Sequence, residues 1–337
     1  MRKVVLADLG KIEFQEVPLP EVKTGWVRVK ILRNGLCGTD VHNYYKETIF
    51  GKDRYPFNMG HECCGIVDAI GDEVKNVKPG DMVVVNPYWT CGQCEPCLSG
   101  YNNNCDHLTT IGLTGPSGNS EYTVAPAASV LKARSDIDPT ILAFTEPLGT
   151  VVYAMDKLKF SPLHDVLIIG AGSIGLLFFQ MLKNAAINSL TVADAVDEKL
   201  EFAKSLGAKR VINPVKEVDP QKYDIIIDCT GSARVAESNV DRAKFGGQIL
   251  IFGVCPIDSE IKIKPFDIYR MDLMICATFA LNYSAFQRAL HLIENDRIDV
   301  RPLLAGVYPV GQLEECIQQV HAGKISGKVI IDCTRME

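Results

Sequence analysis

Four cysteines carry the most specific chemistry in this chain. Cys91, Cys94, Cys97 and Cys105 are spaced C-x2-C-x2-C-x7-C and interleaved with Gly92, Pro96 and Gly100. Thiolates this close together on a loop punctuated by Gly and Pro can close on one tetrahedral zinc, whose Zn–S bonds hold the loop without a hydrophobic core. A ferredoxin-type iron–sulfur run would need a C-x3-C-P ending; here the last interval is x7 and no Pro follows. Four thiolates leave no open coordination position, so a zinc here is expected to be structural.

A second set of candidate ligands is looser. GLCGTDVH groups Cys37, Thr39, Asp40 and His42, and GHECCG groups His61 and Glu62. Thiolate, imidazole and carboxylate all ligate zinc, and three protein ligands with an open position make a catalytic site. Taken singly, each of these residues also fits an ordinary core or surface role. Cys63 and Cys64 read as small core residues, and His107, His164, His291 and His321 belong to no motif.

A third motif, GAGSIG at 170–175, directly follows the apolar run VLII and opens a helical stretch. Gly170 permits a tight turn, Gly172 lets the backbone approach a pyrophosphate and Gly175 allows close helix–strand packing, with Ser173 and Ile174 on the same turn. Phosphates would sit at the helix N-terminus. Asp194 ends the next strand, where a carboxylate accepts hydrogen bonds from the ribose hydroxyls and repels a 2′-phosphate, so NAD is expected rather than NADP.

The elements that position these groups change character along the chain. As far as about residue 145, short apolar runs at 27–32, 64–70, 81–85 and 121–124 are separated by Gly and Pro, which reads as a β-rich, barrel-like domain. From about residue 165, strands alternate with helices at 166–170, 174–186, 190–194 and 197–206, which implies a parallel sheet and an overall α/β class. Two helical runs, 284–295 and 312–321, and a closing strand, KVIIDC, fit either an extension of that sheet or a return to the first domain.

A length of 337 residues favours two domains. A net charge of −6 gives no basic surface for nucleic acid. No uninterrupted apolar run is long enough to cross a bilayer and no signal peptide is legible at the start, so a cytoplasmic protein without a membrane partner is expected. In that compartment clustered cysteines, among 12 in the chain, point to metal or catalysis rather than disulfides.

In order, CGTDVH, GHExxG, the four-cysteine lobe, TEPL at 145–148 and GAGSIG resemble the zinc-containing medium-chain alcohol dehydrogenases, and most of all their polyol branch of sorbitol, xylitol and arabitol type. The resemblance implies a GroES-like catalytic domain at 1–147 with 282–337, and a Rossmann domain at 148–281. It implies Cys37, His61 and Glu62 as ligands of a catalytic zinc, with Glu146 a fourth ligand or the holder of a zinc-bound water. Ethanol dehydrogenases carry a second Cys where this chain has Glu146. The resemblance also implies a proton relay from the substrate through Thr39 and the cofactor ribose to His42. It puts Lys199 near that ribose, and Phe252, Gly253, Val254, Thr278 and Phe279 beside the nicotinamide. Two zincs per chain are expected because the two ligand sets share no residue and call for different coordination, and a homo-oligomer, dimer or tetramer, follows by analogy.

The expected reaction is oxidation of a secondary alcohol of a small polyol to a ketone. Rival readings are a galactitol-1-phosphate-like or threonine-type dehydrogenase and, from another class, a zinc-binding redox or regulatory protein. Sorbitol enzymes carry an Arg-Tyr pair after the Phe corresponding to Phe279, where this chain has Ala280 and Leu281. A substrate other than sorbitol is therefore expected, with a loop of Asn43, Tyr44, Tyr45 and Lys46 lining the pocket and Tyr45 its principal contact.

Overall fold

The computed structural model describes residues 1–46, 55–111, 117–183, 185, 187 and 189–337. They form two units, Met1–Thr150 with Ala280–Glu337, and Val151–Phe279. The expected changeovers were 147 and 282. The helix Thr145–Met155 runs through the first of them, so no break in composition marks it.

In the first unit the strand Trp26–Gly35 is the hub. Its alternating sequence buries Val27, Val29 and Ile31 and leaves Lys30 exposed, the period-two pattern of a strand with one covered face. It pairs antiparallel with Glu62–Ile70, Tyr122–Pro126 and Lys328–Asp332. Among the described residues the sheet runs Val130–Lys132, Met82–Val85, Glu62–Ile70, Trp26–Gly35, Lys328–Asp332, Leu304–Pro309. The closing strand therefore returns to the first unit. Register places both Glu62 and Ile330 opposite Gly35, so the end of the hub strand brings distant segments together. All five residues of Lys328–Asp332 are buried, the lysine included. The helix Leu313–His321 presses Leu313, Cys316 and Ile317 into the same core.

The second unit is a parallel sheet in the order Arg210–Ile212, Ser189–Ala193, Asp165–Ile169, Tyr223–Asp228, Ala243–Ile251, Met274–Ala277. Its central runs, VLII and IIID, are buried on both faces, as crossover helices require. The strand order reverses between Asp165–Ile169 and Tyr223–Asp228, the switch point at which open α/β sheets bind ligands. The second unit is a Rossmann arrangement and the first a GroES-like one, the α/β class expected.

Candidate functional site

Cys37 sits immediately before the helix Gly38–Tyr45 and caps it, its Sγ accepting from the Thr39 amide at 3.4 Å. The buried Asp40 carboxylate accepts from the Cys37 amide at 3.2 Å and the Gly60 amide at 3.1 Å. One side chain thus ties together the segments that carry Cys37 and His61. Asn34 completes the frame, accepting from the Glu62 amide at 3.0 Å and donating to Asn119 Oδ1 at 2.8 Å. Gly60 has φ +84, and a Cβ there would lie 2.6 Å from Asn34 Nδ2, so a side chain at this turn would break the frame.

Within this frame Cys37, His61 and Glu62 bring their ligand atoms within 4.8 Å of one another. Burial acts to lower the His61 pKa, but Cys37, Asp40 and Glu146 together hold it well above the usual value. A field that favours imidazolium also favours a divalent cation, which binds the neutral ring in place of the proton. Asp40, also buried, is pushed upward by desolvation against the pull of His61.

Sequence reasoning missed Lys328. Its Nζ donates to Glu62 Oε1 at 2.6 Å and to the Leu36 carbonyl at 3.0 Å, with both side chains of the pair almost fully buried. Burial works against its charge, yet Glu62 and Cys37 raise its pKa. Glu62 Oε2 also touches the ammonium, outside hydrogen-bond geometry, so Lys328 contacts both oxygens of the carboxylate. A Cβ on Gly35 would fall 1.9 Å from Glu62 Oε2. The available signal was a lysine directly preceding the apolar run 329–331, since a buried amine needs a partner.

Glu146 lies in the first turn of Thr145–Met155, and burial pushes its pKa up to about 7, with His61 opposing and Glu62 adding. It stands outside the set of three that meet within 4.8 Å. Thr39 is exposed and His42 half-buried on the same helix, three residues apart and so neighbours on its surface. Burial, then Lys46, lowers the His42 pKa.

The expected loop at 43–46 is instead the last turn and cap of that helix. Asn43 is buried, the Tyr44 hydroxyl donates to Glu314 at 2.6 Å, and the Tyr45 ring stacks on His321 at 3.8 Å. The physical reason is contact with the helix Leu313–His321, which the 43–46 stretch could not reveal alone. The departures after Phe279 are also absorbed by the fold: Leu281 is in the core and Asn282 caps the helix Tyr283–Glu294, accepting from the Ala285 amide at 2.8 Å.

Cys91, Cys94, Cys97 and Cys105 likewise bring their sulfurs within 4.8 Å of one another. Backbone amides aim at them: Cys91 to Cys105 Sγ at 3.3 Å, Cys94 to Cys91 Sγ at 3.4 Å and His107 to Cys105 Sγ at 3.3 Å. The amides of Gln93 and Cys94 lower the Cys91 pKa to about 6, while burial raises that of Cys97 to about 12. Leu98 is exposed, so the lobe gathers around its sulfurs rather than an apolar centre.

In the second unit, Gly170 has φ +100, and a Cβ on Gly175 would lie 1.8 Å from the Gly170 carbonyl oxygen. At Gly172 a Cβ would meet no protein atom, so the fold by itself does not demand glycine there. Asp194 accepts from the Ala171 amide at 2.7 Å and the Val196 amide at 2.9 Å, pinning the glycine turn to the end of the next strand. Ser173 and Ile174 open the helix Ser173–Lys183, and Lys199 is half-buried on Asp197–Ser205. A Cβ on Gly253 would lie 2.1 Å from the Gly231 nitrogen, so the turns after two neighbouring strands touch backbone to backbone. Phe252 packs edge-on against Phe178 at 5.2 Å, Val254 and Phe279 are exposed, and Thr278 Oγ1 is buried without a partner. Asp228, another residue sequence reasoning missed, accepts from Thr230 Oγ1 at 2.6 Å and Asn239 Nδ2 at 2.8 Å and locks the 229–231 turn.

Residues 23–135 match the family model of the alcohol dehydrogenase GroES-like domain, and residues 173–295 that of the zinc-binding dehydrogenases. A D-altritol 5-dehydrogenase of Agrobacterium fabrum is 31% identical over 319 residues, covering 93% of this chain and 94% of that protein. A galactitol 1-phosphate 5-dehydrogenase of Escherichia coli K12 is 29% identical over 348 residues, with 98% and 99% covered. Among solved structures, a zinc-binding dehydrogenase of Sinorhizobium meliloti 1021 bound to NADP is similar with a TM-score of 0.90 at 28% identity, covering 98% of each chain.

Proposed function

Because the chain belongs to the zinc-binding medium-chain alcohol dehydrogenase family, we propose that it oxidises a secondary hydroxyl of an unphosphorylated polyol to a ketone and that its hydride acceptor is NAD. The observation that carries this reading is the meeting of Cys37, His61 and Glu62 within 4.8 Å, with Glu146 contributing to the same electrostatic field. A zinc held by these three supplies the Lewis acidity that makes a bound alcohol acidic near neutral pH. A second, structural zinc belongs to Cys91, Cys94, Cys97 and Cys105.

The chain's own residues supply the rest. Lys328 fixes the Glu62 carboxylate, and Asp40 fixes the backbone on either side of Cys37 and His61. His42, with a pKa below the ordinary histidine value, is neutral at pH 7 and ready to accept the released proton, with Thr39 beside it on the helix. Asp194 has about four lone-pair sites on its carboxylate; two meet the Ala171 and Val196 amides, which leaves capacity for ribose hydroxyls and a charge that disfavours a 2′-phosphate. Lys199, Phe252, Gly253, Val254, Thr278 and Phe279 complete the cofactor contacts in this reading, and Tyr45 remains a candidate substrate contact.

The relatives named for altritol and galactitol 1-phosphate act on polyols, and this supports the substrate class. The relative that is 31% identical is named for an unphosphorylated polyol, D-altritol, which supports such a substrate over a phosphorylated one. Exposed Phe245, Phe266 and Tyr269, on or near the edge of the six-stranded sheet, support a homo-oligomer.

The test is NADH and NADPH formation by zinc-loaded protein across polyols, polyol phosphates, threonine and simple diols. An unphosphorylated polyol with NAD should rank first. Preference for threonine or a polyol phosphate would replace the substrate assignment, and absence of turnover would leave the zinc-binding regulatory reading.

A further inference from the structure

We propose that Tyr88 determines substrate specificity, its phenolic hydroxyl hydrogen-bonding the substrate hydroxyl on the carbon next to the one oxidised. This rests on the polyol reading above.

The two-residue strand Tyr88–Trp89 pairs antiparallel with Thr109–Thr110. Trp89 turns into the core of the first unit, where its ring meets Trp26 edge-on at 5.1 Å. Successive side chains of a strand leave on opposite faces, so Tyr88 points away from that core. The charged groups that act on its hydroxyl are Glu146, Cys37 and Glu62. Two of these are in the ligand trio and the third is its acidic neighbour, so the phenol, turned away from the core, lies within range of the candidate metal ligands.

The ring stands on a fixed backbone. The Tyr88 amide donates to Asn86 Oδ1 at 3.0 Å, the Asn86 amide to the Ser129 carbonyl at 2.8 Å, and the Ile111 amide to the Pro87 carbonyl at 3.0 Å. No side chain among the described residues hydrogen-bonds the Tyr88 hydroxyl, whereas Tyr44 is committed to Glu314 and Tyr223 to Asp219. Burial and the neighbouring anions hold its pKa well above the ordinary phenol value, so the group stays protonated and can both donate and accept. The hydroxyl undergoing oxidation belongs at the metal ligands, of which Tyr88 is not one. A phenol beside them is placed to read the neighbouring hydroxyl.

The experiment compares wild type with Tyr88→Phe on two substrates: the polyol ranked first in the panel and its analogue lacking the hydroxyl on the neighbouring carbon. The ratio of their kcat/KM values should fall about tenfold in the variant, the worth of one hydrogen bond between neutral groups. Equilibrium binding of the polyol to the protein–NADH complex, followed by NADH fluorescence, should weaken by a similar factor. Zinc content checks that the variant is folded, and Tyr88→His, which restores a polar hydrogen on a ring, should recover part of the ratio. If wild type prefers the polyol and Tyr88→Phe leaves both the ratio and the binding unchanged, the role of Tyr88 is overturned while the polyol reading stands. If wild type oxidises no polyol, the polyol reading fails and this inference falls with it.

Discussion

Lys328 Nζ lies 2.6 Å from Glu62 Oε1, joining the last strand of the first unit to a candidate zinc ligand. The pair closes around Gly35, the residue of the hub strand that faces Glu62 in register. Its ammonium sets the position of the carboxylate and offsets the negative field of Glu62, Cys37 and Glu146.

Removing one partner leaves the other buried and unpaired. Lys328→Met should therefore destabilise the protein by about 3–5 kcal/mol, measured by denaturant unfolding. Gly35→Ala should act on the same pair by placing a methyl group 1.9 Å from Glu62 Oε2, and zinc content should drop at the trio. A Lys328→Met protein with the wild-type unfolding midpoint would show that the pair is dispensable to the fold.

The four-cysteine lobe should behave as a metal-folded element. Cys94→Ser should lower bound zinc by one per chain and lower Tm, because a structural zinc contributes folding free energy directly. Unchanged metal content and Tm would remove the lobe from the zinc assignment.

For His42 the sign is set by its lowered pKa, below the ordinary 6.5. Proton acceptance needs neutral imidazole, so alcohol oxidation should fall only as pH drops through that lowered value and stay flat above it. Lys46→Gln removes a charge that helps lower the pKa and should move this limb of the kcat/KM profile to higher pH. His42→Ala should abolish the limb and slow oxidation roughly tenfold or more at neutral pH. A profile identical to wild type would take His42 out of the proton path.

Asp194→Ala removes both the acceptor of the Ala171 amide and the charge at the end of its strand. The ratio of catalytic efficiency with NADP to that with NAD should rise at least about tenfold, since like charges brought together cost several kcal/mol. Wild-type protein using both cofactors equally would contradict the role assigned to this carboxylate.

The features legible in the sequence were those that carry their geometry in contiguous chain. The cysteine spacing requires a small loop, and GAGSIG after VLII requires a tight turn into a helix, because a few bonds of backbone set those distances. Short apolar runs punctuated by Gly and Pro before 145 and the strand–helix alternation after 165 identified a β-rich region and a parallel sheet, and hence the α/β class. The ligand trio was reached by resemblance, since Cys37 and His61 become neighbours only when Asp40 and Asn34 bind the backbone of segments far apart in sequence. Tertiary structure alone decided the rest. The apolar run of KVIID calls for burial but names no partner strand, and it was pairing with the hub strand that sent it to the first unit and set Lys328 against Glu62. Tyr45 became part of a helix–helix contact because His321 lay across from it, and Tyr88 turns away from the core because Trp89 fills it. Hydrophobic periodicity records which side of an element is covered; only packing specifies what covers it.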